Sequence, residues 1–401
     1  MLSATSRPYI DASVPVLREH GVTITRHFYA SMFEAHPELK QIFNMGNQAN
    51  GSQQQSLAAA VFAYAANIDN AAALGPVIER IVHKHASVGI TPAHYPIVGR
   101  HLLGAIRAVL GDAASPDLMA AWDEAYWLLA GELIAAEARL YQQTGVTAGE
   151  LRPLKVMEIR HENTQVKSFY LQTPDGQSPG RFLPGQYISV AAQLGDLRQL
   201  RQYSLSDHPD QPWWRITVKR EDASDSTPAG QVSNCLHTQL QPGDSLLASA
   251  AFGDFTPDTT GQQPIALISA GVGITPMISV LNQLVTQRTN QPLLFAHAAR
   301  NSQHHSLRDD LAAARATLPA MQLAISYEQP LPADRPGTDY HHTGTLPLQD
   351  LLAQHGTAGR FYLCGPVGFM QQQWKTLLAA GVSPTQIHRE VFGPELLDHL
   401  L

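Results

Sequence analysis

His85 is the residue in the first third of the chain that most clearly could take part in chemistry. At helical spacing it shares an apolar face with Ile81, Val82 and Val88, so residues 77–89 predict an amphipathic helix with an imidazole on its apolar side. An imidazole directed into an apolar cavity can hold a haem iron from one side. A histidine on an apolar face is more often an ordinary core residue, so both interpretations stay open at this point.

Two short motifs further along the chain have the composition of nucleotide-binding segments. In Arg201-Gln202-Tyr203-Ser204, an arginine, an aromatic ring and a hydroxyl could grip a pyrophosphate, stack on a flat ring and hydrogen-bond a ring nitrogen. In residues 271–276, GVGITP, glycines follow an apolar run and open a predicted helix, whose N-terminus attracts phosphate. The glycine motif alone is weak, because tight strand-to-helix turns also use glycine.

Three kinds of pattern predict the elements that position these residues. Residues 1–146 are helical, with breaks at Gly21, Pro37, Gly46 to Gly51, Gly75-Pro76, Pro92 and Ser115-Pro116. Short strands separated by turn residues in 150–260 favour a small closed antiparallel β-barrel, and alternating strands and helices in 262–401 favour a parallel sheet covered by helices. We therefore expect a multidomain protein with an all-α domain over 1–146, a β-barrel over 150–260 and an α/β domain over 262–401, the first two joined by a linker at 145–149.

Composition narrows the functional class. The 401 residues carry a net charge of −7 and no long basic run, which argues against a nucleic-acid or anionic-membrane surface. The only two cysteines, Cys235 and Cys364, are far apart, which makes a disulfide framework or a zinc site improbable. The N-terminus lacks the pattern of a signal peptide, and the uncharged segment 264–287 is interrupted by glycines and a proline. We expect a cytoplasmic protein with no transmembrane segment.

The first third resembles a globin, and more closely the haem domain of the flavohaemoglobins, the nitric oxide dioxygenases. The resemblance depends on Tyr29, Phe43, Gln53, Leu57, Lys84, His85, Tyr95 and Glu137. It implies that His85 is the proximal iron ligand and that Phe43 packs on the porphyrin. It also places Tyr29, Gln53 and Leu57 on the distal side, Lys84 among the haem contacts, and Tyr95 and Glu137 behind the proximal imidazole.

Each of these assignments has a physical reason and an alternative. Oxygen bound to ferrous iron carries partial superoxide charge, which a phenol or amide donor in an apolar pocket stabilises. Tyr29 is the first candidate donor and Gln53 the second, although Tyr29 could instead be a core aromatic bonded to a backbone carbonyl. A carboxylate behind the imidazole favours oxygen activation. Glu137 could serve this role, or it could be a solvated residue on a helix face.

The barrel region resembles the flavin domain of the ferredoxin reductase-like family, because three motifs occur in that family's order. They are residues 184–187, PGQY, residues 201–204, RQYS, and residues 230–234, GQVSN. The resemblance implies that Arg201 holds the FAD phosphates, Tyr203 covers the isoalloxazine and Ser204 reaches its reactive nitrogen. The chain departs from the family at Cys235, where related proteins carry tryptophan. The predicted FAD contacts are Tyr187, Arg201, Gln202, Tyr203, Ser204, Gln231, Val232 and Ser233.

The last third resembles the nicotinamide half of the same reductase family. The motifs are GVGITP, the HAARN segment 297–301, CGP at 364–366 and the tail EVFGP at 390–394. Cys364 would neighbour the nicotinamide, although it could equally be a plain buried thiol, and Phe392 would lie against the isoalloxazine while Glu390 biases the redox potentials. The predicted contacts are Gly271, Val272, Gly273, Ile274, Thr275, Pro276, Cys364, Gly365, Pro366, Glu390, Val391, Phe392, Gly393 and Pro394.

The order of the three parts implies an electron-transfer pathway from a nicotinamide through a flavin to haem. A nicotinamide delivers two electrons as hydride, haem accepts one at a time, and FAD can convert between them. The resemblance therefore implies one haem b and one FAD per chain, NADH or NADPH as donor, and oxidation of nitric oxide by dioxygen to nitrate in a monomeric enzyme. An oxygen or redox sensor, or a flavin or ferric-ion reductase with a spectator globin, are the alternatives.

Overall fold

The structure, a computed structural model, describes residues 1–224 and 227–394. Chain contacts divide it into two compact units. Of the described residues, the first contains 1–151, 191–201 and 393–394, and the second contains 152–190, 202–224 and 227–392. The three predicted domain ranges remain predictions.

The first 150 residues are helical, as predicted. The α-helices are α1 Arg7–Ala35, α2 Met45–Ala49, α3 Ser52–Ala66, α4 Ala71–Val88, α5 His94–Leu110 and α6 Pro116–Thr144. The apolar faces of α1, α3, α5 and α6 form a buried core that includes Ile24, Phe28, Met32 and Trp122, and α4 contributes Val82 to a second buried cluster shared with α5 and α6. Helical periodicity thus predicted the class of this region correctly.

Two of the predicted helix breaks are wrong. Helix α1 continues through Gly21, where a Cβ atom would lie 3.3 Å from the Cβ of Ala58, so this glycine serves close packing of α1 on α3. Helix α4 begins after its N-cap Asn70 and continues through Pro76, near its start, where buried Leu74 and Val77 hold it against the core.

The end of the helix that carries His85 also differs from the prediction. Helix α4 ends at Val88, before the expected stop at Pro92, because Gly89 adopts a left-handed conformation with φ of +81°. A Cβ atom on Gly89 would lie 2.4 Å from the Cα of Gly149, so only glycine fits this cap.

The second region forms the predicted antiparallel sheet. Its strands are β1 Arg152–His161, β2 Val166–Gln172, β3 Tyr187–Leu194, β4 Leu197–Ser204, β5 Trp214–Lys219 and β6 Ser245–Ala248, with helix α7 Gln231–Gln239 between β5 and β6. The strand order is β4-β3-β6-β1-β2-β5. An antiparallel bridge between Leu205 and Ile216 links the residue after β4 to β5, which joins the two ends of this order as a closed barrel requires.

The third region forms a parallel sheet with helices on both faces, also as predicted. Its elements are β7 Ile265–Ala270, α8 Ile274–Thr286, β8 Leu293–Ala299, α9 Arg308–Thr317, β9 Gln322–Tyr327, β10 His342–Thr343, α10 Leu348–His355, β11 Arg360–Cys364, α11 Val367–Ala379 and β12 Ile387–Glu390. The order is β10-β9-β8-β7-β11-β12. The sequence did not predict β10 and β12. The uncharged segment 264–287 forms β7 and α8, and no helix in the described chain is long and apolar enough to cross a membrane.

Candidate functional site

The His85 imidazole is held from behind by α5 and α6. Its Nδ1 atom lies 2.8 Å from Oε1 of Glu137 and 3.2 Å from the Tyr95 hydroxyl. The Tyr95 hydroxyl donates to the same Glu137 oxygen at 2.5 Å. Because an ionised carboxylate can only accept, Nδ1 carries the proton and donates it to Glu137. The remaining ring nitrogen, Nε2, therefore presents the lone pair with which a histidine binds a metal.

The two residues that contact Nδ1 of His85 are buried. Glu137 is 2% exposed and Tyr95 is 5% exposed. The pKa of Tyr95 is raised by burial first, and then by its hydrogen bond to Glu137 and by the charge of that carboxylate. Tyr95 therefore remains a protonated donor at neutral pH. The alternative interpretation of Glu137 as a solvated residue on a helix face is wrong.

Tyr29 lies on α1 in an aromatic and amide environment. It is 4% exposed, and its ring lies 5.8 Å from that of Phe43 in an edge-on arrangement. Burial raises the pKa of Tyr29, while the neighbouring Gln53 and Gln48 side chains act in the opposite direction. The structure thus brings together Tyr29, Phe43 and Gln53, and Leu57 packs against the same core. Their predicted roles around haem stay predictions.

Gln48 is a residue of this cluster that sequence reasoning missed. It lies in α2, separated from Gln53 by the turn at residues 50–51. Helical periodicity does not continue across such a turn, so spacing alone could not place Gln48 beside Tyr29. Lys84, expected to contact haem, donates a hydrogen bond to the backbone oxygen of Gly393 at 2.9 Å. Its predicted haem contact stays a prediction.

The RQYS motif occupies the end of β4. Arg201 donates to the backbone oxygen of Leu200 at 2.7 Å. Gln202 donates to the Ser189 hydroxyl at 3.4 Å. Ser204 is buried and Tyr203 is half-buried. Their predicted roles as flavin contacts are not tested by these bonds.

The GQVSN motif forms the start of α7, as expected. Ser233 donates to the Gly230 carbonyl at 3.2 Å and accepts from the backbone N–H of Glu221 at the same distance. These bonds fix the loop before the helix, while Val232 is buried and Gln231 is exposed. At the point of departure from the family, the Cys235 thiol donates to the Gln239 side chain of its own helix. Tyr187 is buried and pairs with Phe252 in an isolated bridge.

The glycine motif and the CGP motif meet at the carboxyl ends of two adjacent strands, β7 and β11. Residues Gly271–Gly273 form a tight turn before α8, and a Cβ atom on Gly273 would lie 2.4 Å from the carbonyl oxygen of Cys364. Gly271, Val272 and Pro366 line a pocket of about 400 Å³ together with Arg300, His304, Lys219 and Glu328. Ligands of open parallel sheets bind at this edge of the sheet.

Other predicted residues of this region lie deeper or at its margin. Ile274, Thr275 and Pro276 are buried in the first turn of α8. Cys364 is fully buried, and its pKa is raised well above its ordinary value by burial and by the charge of Glu390. Glu390 pairs with Cys364 in the register of β11 and β12, and Val391, Phe392, Gly393 and Pro394 follow it. Phe392 is 46% exposed, which is unusual for a phenylalanine.

Comparison with known proteins covers all three regions. The family models that match are Globin over residues 26–133, Oxidoreductase FAD-binding domain over 153–256 and Oxidoreductase NAD-binding domain over 267–375. A flavohemoprotein of Rhizobium meliloti (strain 1021) is 45% identical over 405 residues, covering 99% of each chain. A flavohemoprotein of Chromobacterium violaceum is 46% identical and covers 98% of each chain. The chain belongs to the flavohemoprotein family.

Solved structures agree with membership of the flavohemoprotein family. The flavohemoglobin from Malassezia yamatoensis, determined with bound FAD and haem, superposes with a TM-score of 0.85 at 29% identity, covering 98% of this chain and 100% of that one. The FAD/NAD-binding domain of a nitric oxide dioxygenase from Vibrio cholerae matches with a TM-score of 0.55 at 36% identity, covering 61% of this chain and 99% of that one. The predicted family and fold class are thus confirmed.

Proposed function

We propose that this flavohemoprotein is an NAD(P)H-dependent nitric oxide dioxygenase, which converts nitric oxide and dioxygen into nitrate. The observation that carries the proposal is the buried Glu137–Tyr95 pair behind the Nδ1 atom of His85, in a chain that matches flavohemoproteins over its whole length. The cofactors are one haem b and one FAD per chain, with NADH or NADPH as the electron donor. Haem would supply the oxygen chemistry. FAD would supply the conversion of a two-electron hydride transfer into single-electron transfers.

The residues of the helical unit fit haem. The proton on Nδ1 of His85 is engaged by Glu137, which leaves Nε2 as the ligating nitrogen. The Glu137 carboxylate also makes the imidazole more basic, which favours oxygen activation over storage. On α1, Tyr29 keeps its proton at neutral pH because burial raises its pKa, so it can donate a hydrogen bond to a partly anionic ligand.

The residues of the pocket at the carboxyl ends of β7 and β11 fit a dinucleotide. The turn Gly271–Gly273 brings its backbone to the pocket edge, and α8 begins directly after it. Backbone N–H groups at a helix N-terminus bind phosphate, and Arg300 and Lys219 add positive charge to the same pocket. We further expect the enzyme to act as a monomer in the cytoplasm, where its two free cysteines would stay reduced.

An absorption spectrum of the purified protein before and after NADH, followed by nitric oxide addition in air, tests this function. We expect a Soret band with a flavin shoulder, a shift of the Soret band on reduction, and loss of NADH in step with nitrate formation. A sensor would bind oxygen but consume little NADH when nitric oxide is added. In a reductase with a spectator globin, His85→Ala would retain full nitric oxide consumption, and that result would contradict the proposal.

A further inference from the structure

Helix α1 presents three residues at four-residue intervals toward α3 and the turn before it. The first, Gly21, allows contact with Ala58. One turn later, the Thr25 hydroxyl donates to the backbone oxygen of Gln54 at 2.9 Å. A further turn along lies Tyr29, which interacts with the side chains of Gln53 and Gln48. Residues four apart share a helix face, so the contacts that place α3 against α1 also place these amides around the Tyr29 hydroxyl.

The orientation of the Gln48 amide follows from its contact with Gln54. The Nε2 atom of Gln54 donates to the backbone oxygen of Gln48 at 3.2 Å and to its side-chain Oε1 at 2.9 Å. Because a backbone carbonyl can only accept, the group of Gln54 at this point must be its NH₂, and the end of Gln48 that it meets must be the oxygen. The NH₂ group of Gln48 therefore lies at the other end of the amide.

That NH₂ group is an unused donor in an interior position. The Nε2 atom of Gln48 is buried and has no hydrogen-bond partner within the described part of the chain. A buried donor without a partner destabilises the fold, so each such group in a native protein calls for an explanation, of which a role at a functional site is one. The neighbour on which the Gln48 side chain acts is Tyr29. The Tyr29 oxygen can accept hydrogen bonds through its lone pairs while donating its own proton elsewhere.

We propose that Gln48 is a positioning residue of the distal pocket: Gln54 orients its amide, Nε2 donates to the Tyr29 oxygen, and the Tyr29 proton is thereby turned toward the ligand on the iron. The inference depends on the proposed function and extends it by one residue and its support. A phenol that accepts a hydrogen bond is also a stronger donor, because successive hydrogen bonds polarise one another. Gln48 thus strengthens the hydrogen bond from Tyr29 to the ligand, although Gln48 does not itself contact the ligand.

The test compares Gln48→Leu with the matched control Gln55→Leu in the full-length, haem-loaded protein. Gln55→Leu makes the same chemical change at an exposed position of the next helix, α3. The readouts are the C–O stretching frequency of the ferrous carbonyl complex, which reports hydrogen bonding to the ligand, and the oxygen dissociation rate. We expect Gln48→Leu to shift the frequency toward that of Tyr29→Phe and to raise the dissociation rate about five- to tenfold, the effect of one hydrogen bond. Gln55→Leu should change neither.

A double-mutant cycle distinguishes positioning from a direct contact. In a Tyr29→Phe background, Gln48→Leu should have no further effect on either readout. Additive effects, or a C–O frequency unchanged by Gln48→Leu, would overturn the inference. Gln48→Met, which keeps the side-chain length and removes the donor, should behave like Gln48→Leu and guards against a folding defect. A wild-type protein that binds carbon monoxide but does not consume nitric oxide would instead contradict the proposed function, while these spectra would still decide the role of Gln48.

Discussion

At the scale of single residues, the behaviour of buried polar groups is decided by their partners. The Glu137 carboxylate lies in an interior where an unpaired charge would be costly, and Oε1 receives hydrogen bonds from both Tyr95 and His85. Its second oxygen, Oε2, is buried and has no partner within the described residues. The interaction with the imidazole is therefore concentrated on one oxygen.

Replacing Glu137 by glutamine tests this interaction. The amide keeps the shape but lacks the charge that raises the basicity of His85, so we expect nitric oxide turnover to fall about 10- to 100-fold and the haem reduction potential to rise. The measurements are NADH loss on nitric oxide addition and a redox titration of the Soret band. Glu132→Gln, at an exposed position of the same helix, is the control. Equal turnover in both variants would show that the carboxylate charge is not needed.

His297 offers a prediction on pH dependence. It is fully buried on β8, its Nδ1 lies 2.9 Å from the Ser269 hydroxyl, and its ring lies 4.9 Å from that of His305. Burial lowers the pKa of His297 to about 3, and burial and the charge of His297 also lower the pKa of His305. Below pH 6.5 the unfolded chain binds a proton that the folded chain excludes. His297 therefore removes about 1.4 kcal/mol of stability per pH unit between pH 6.5 and 3, and His305 acts in the same direction.

His297→Gln removes one of these two titrations. At pH 7.5 the variant should unfold at a lower temperature than the wild type, because it loses a well-packed ring. The difference in Tm should shrink as the pH falls to 5, because only the wild type loses stability through His297. Thermal unfolding followed by circular dichroism at both pH values measures this. A difference in Tm that stays constant would mean that His297 does not titrate as its burial implies.

At the scale of elements, close approach of helices supports the candidate haem site. Helices α5 and α6 meet at Gly99, where a Cβ atom would lie 2.5 Å from the Tyr126 ring. The Tyr126 hydroxyl donates to the backbone oxygen of Tyr95 at 2.5 Å. The spacing of these two helices thus determines where Tyr95 can meet Glu137 and His85.

Gly99→Ala and Gly104→Ala form a matched pair on α5. At Gly99 the added methyl group forces α5 away from Tyr126, so we expect a loss of about 1–3 kcal/mol in the free energy of unfolding and faster release of haem. A Cβ atom at Gly104 meets no atom within 4 Å, so alanine there should stabilise the helix by about 0.5–1 kcal/mol. Urea unfolding and haem transfer to apomyoglobin measure the two effects. If the two variants have the same stability and haem release, the contact of Gly99 with Tyr126 does not determine how closely α5 and α6 pack.

At the scale of the whole molecule, the second compact unit combines the barrel with the parallel sheet. Arg215 on β5 is 5% exposed and forms an ion pair with Asp310 on α9, with an Nη2–Oδ1 distance of 2.8 Å. Asn282 on α8 donates to Asp310 and also to Asp207. This buried network joins the barrel to the parallel sheet within the second compact unit.

Asp310→Asn should therefore destabilise the second unit strongly. The change leaves the Arg215 charge buried without its counter-charge, at a cost of about 3–5 kcal/mol. In the double variant Arg215→Leu with Asp310→Leu, no charge is stranded, and the loss should be smaller than for Asp310→Asn alone. Urea unfolding monitored by flavin fluorescence compares the three proteins. A double variant that is less stable than the single one would contradict this account of the network.

The sequence by itself determined the class of each region and the family, but not every element, since the short strands β10 and β12 were not predicted. Helix and strand periods depend on residues a few positions apart, so His85 on an apolar helix face and the glycine turn after β7 were visible in the chain. The tertiary structure alone decided which distant groups meet. Glu137 lies 52 residues from His85, and Gln48 reaches Tyr29 across a turn that interrupts the period. Gly21, predicted as a break, instead admits a neighbouring helix. Such contacts depend on how completed helices and strands pack, and no local pattern records that.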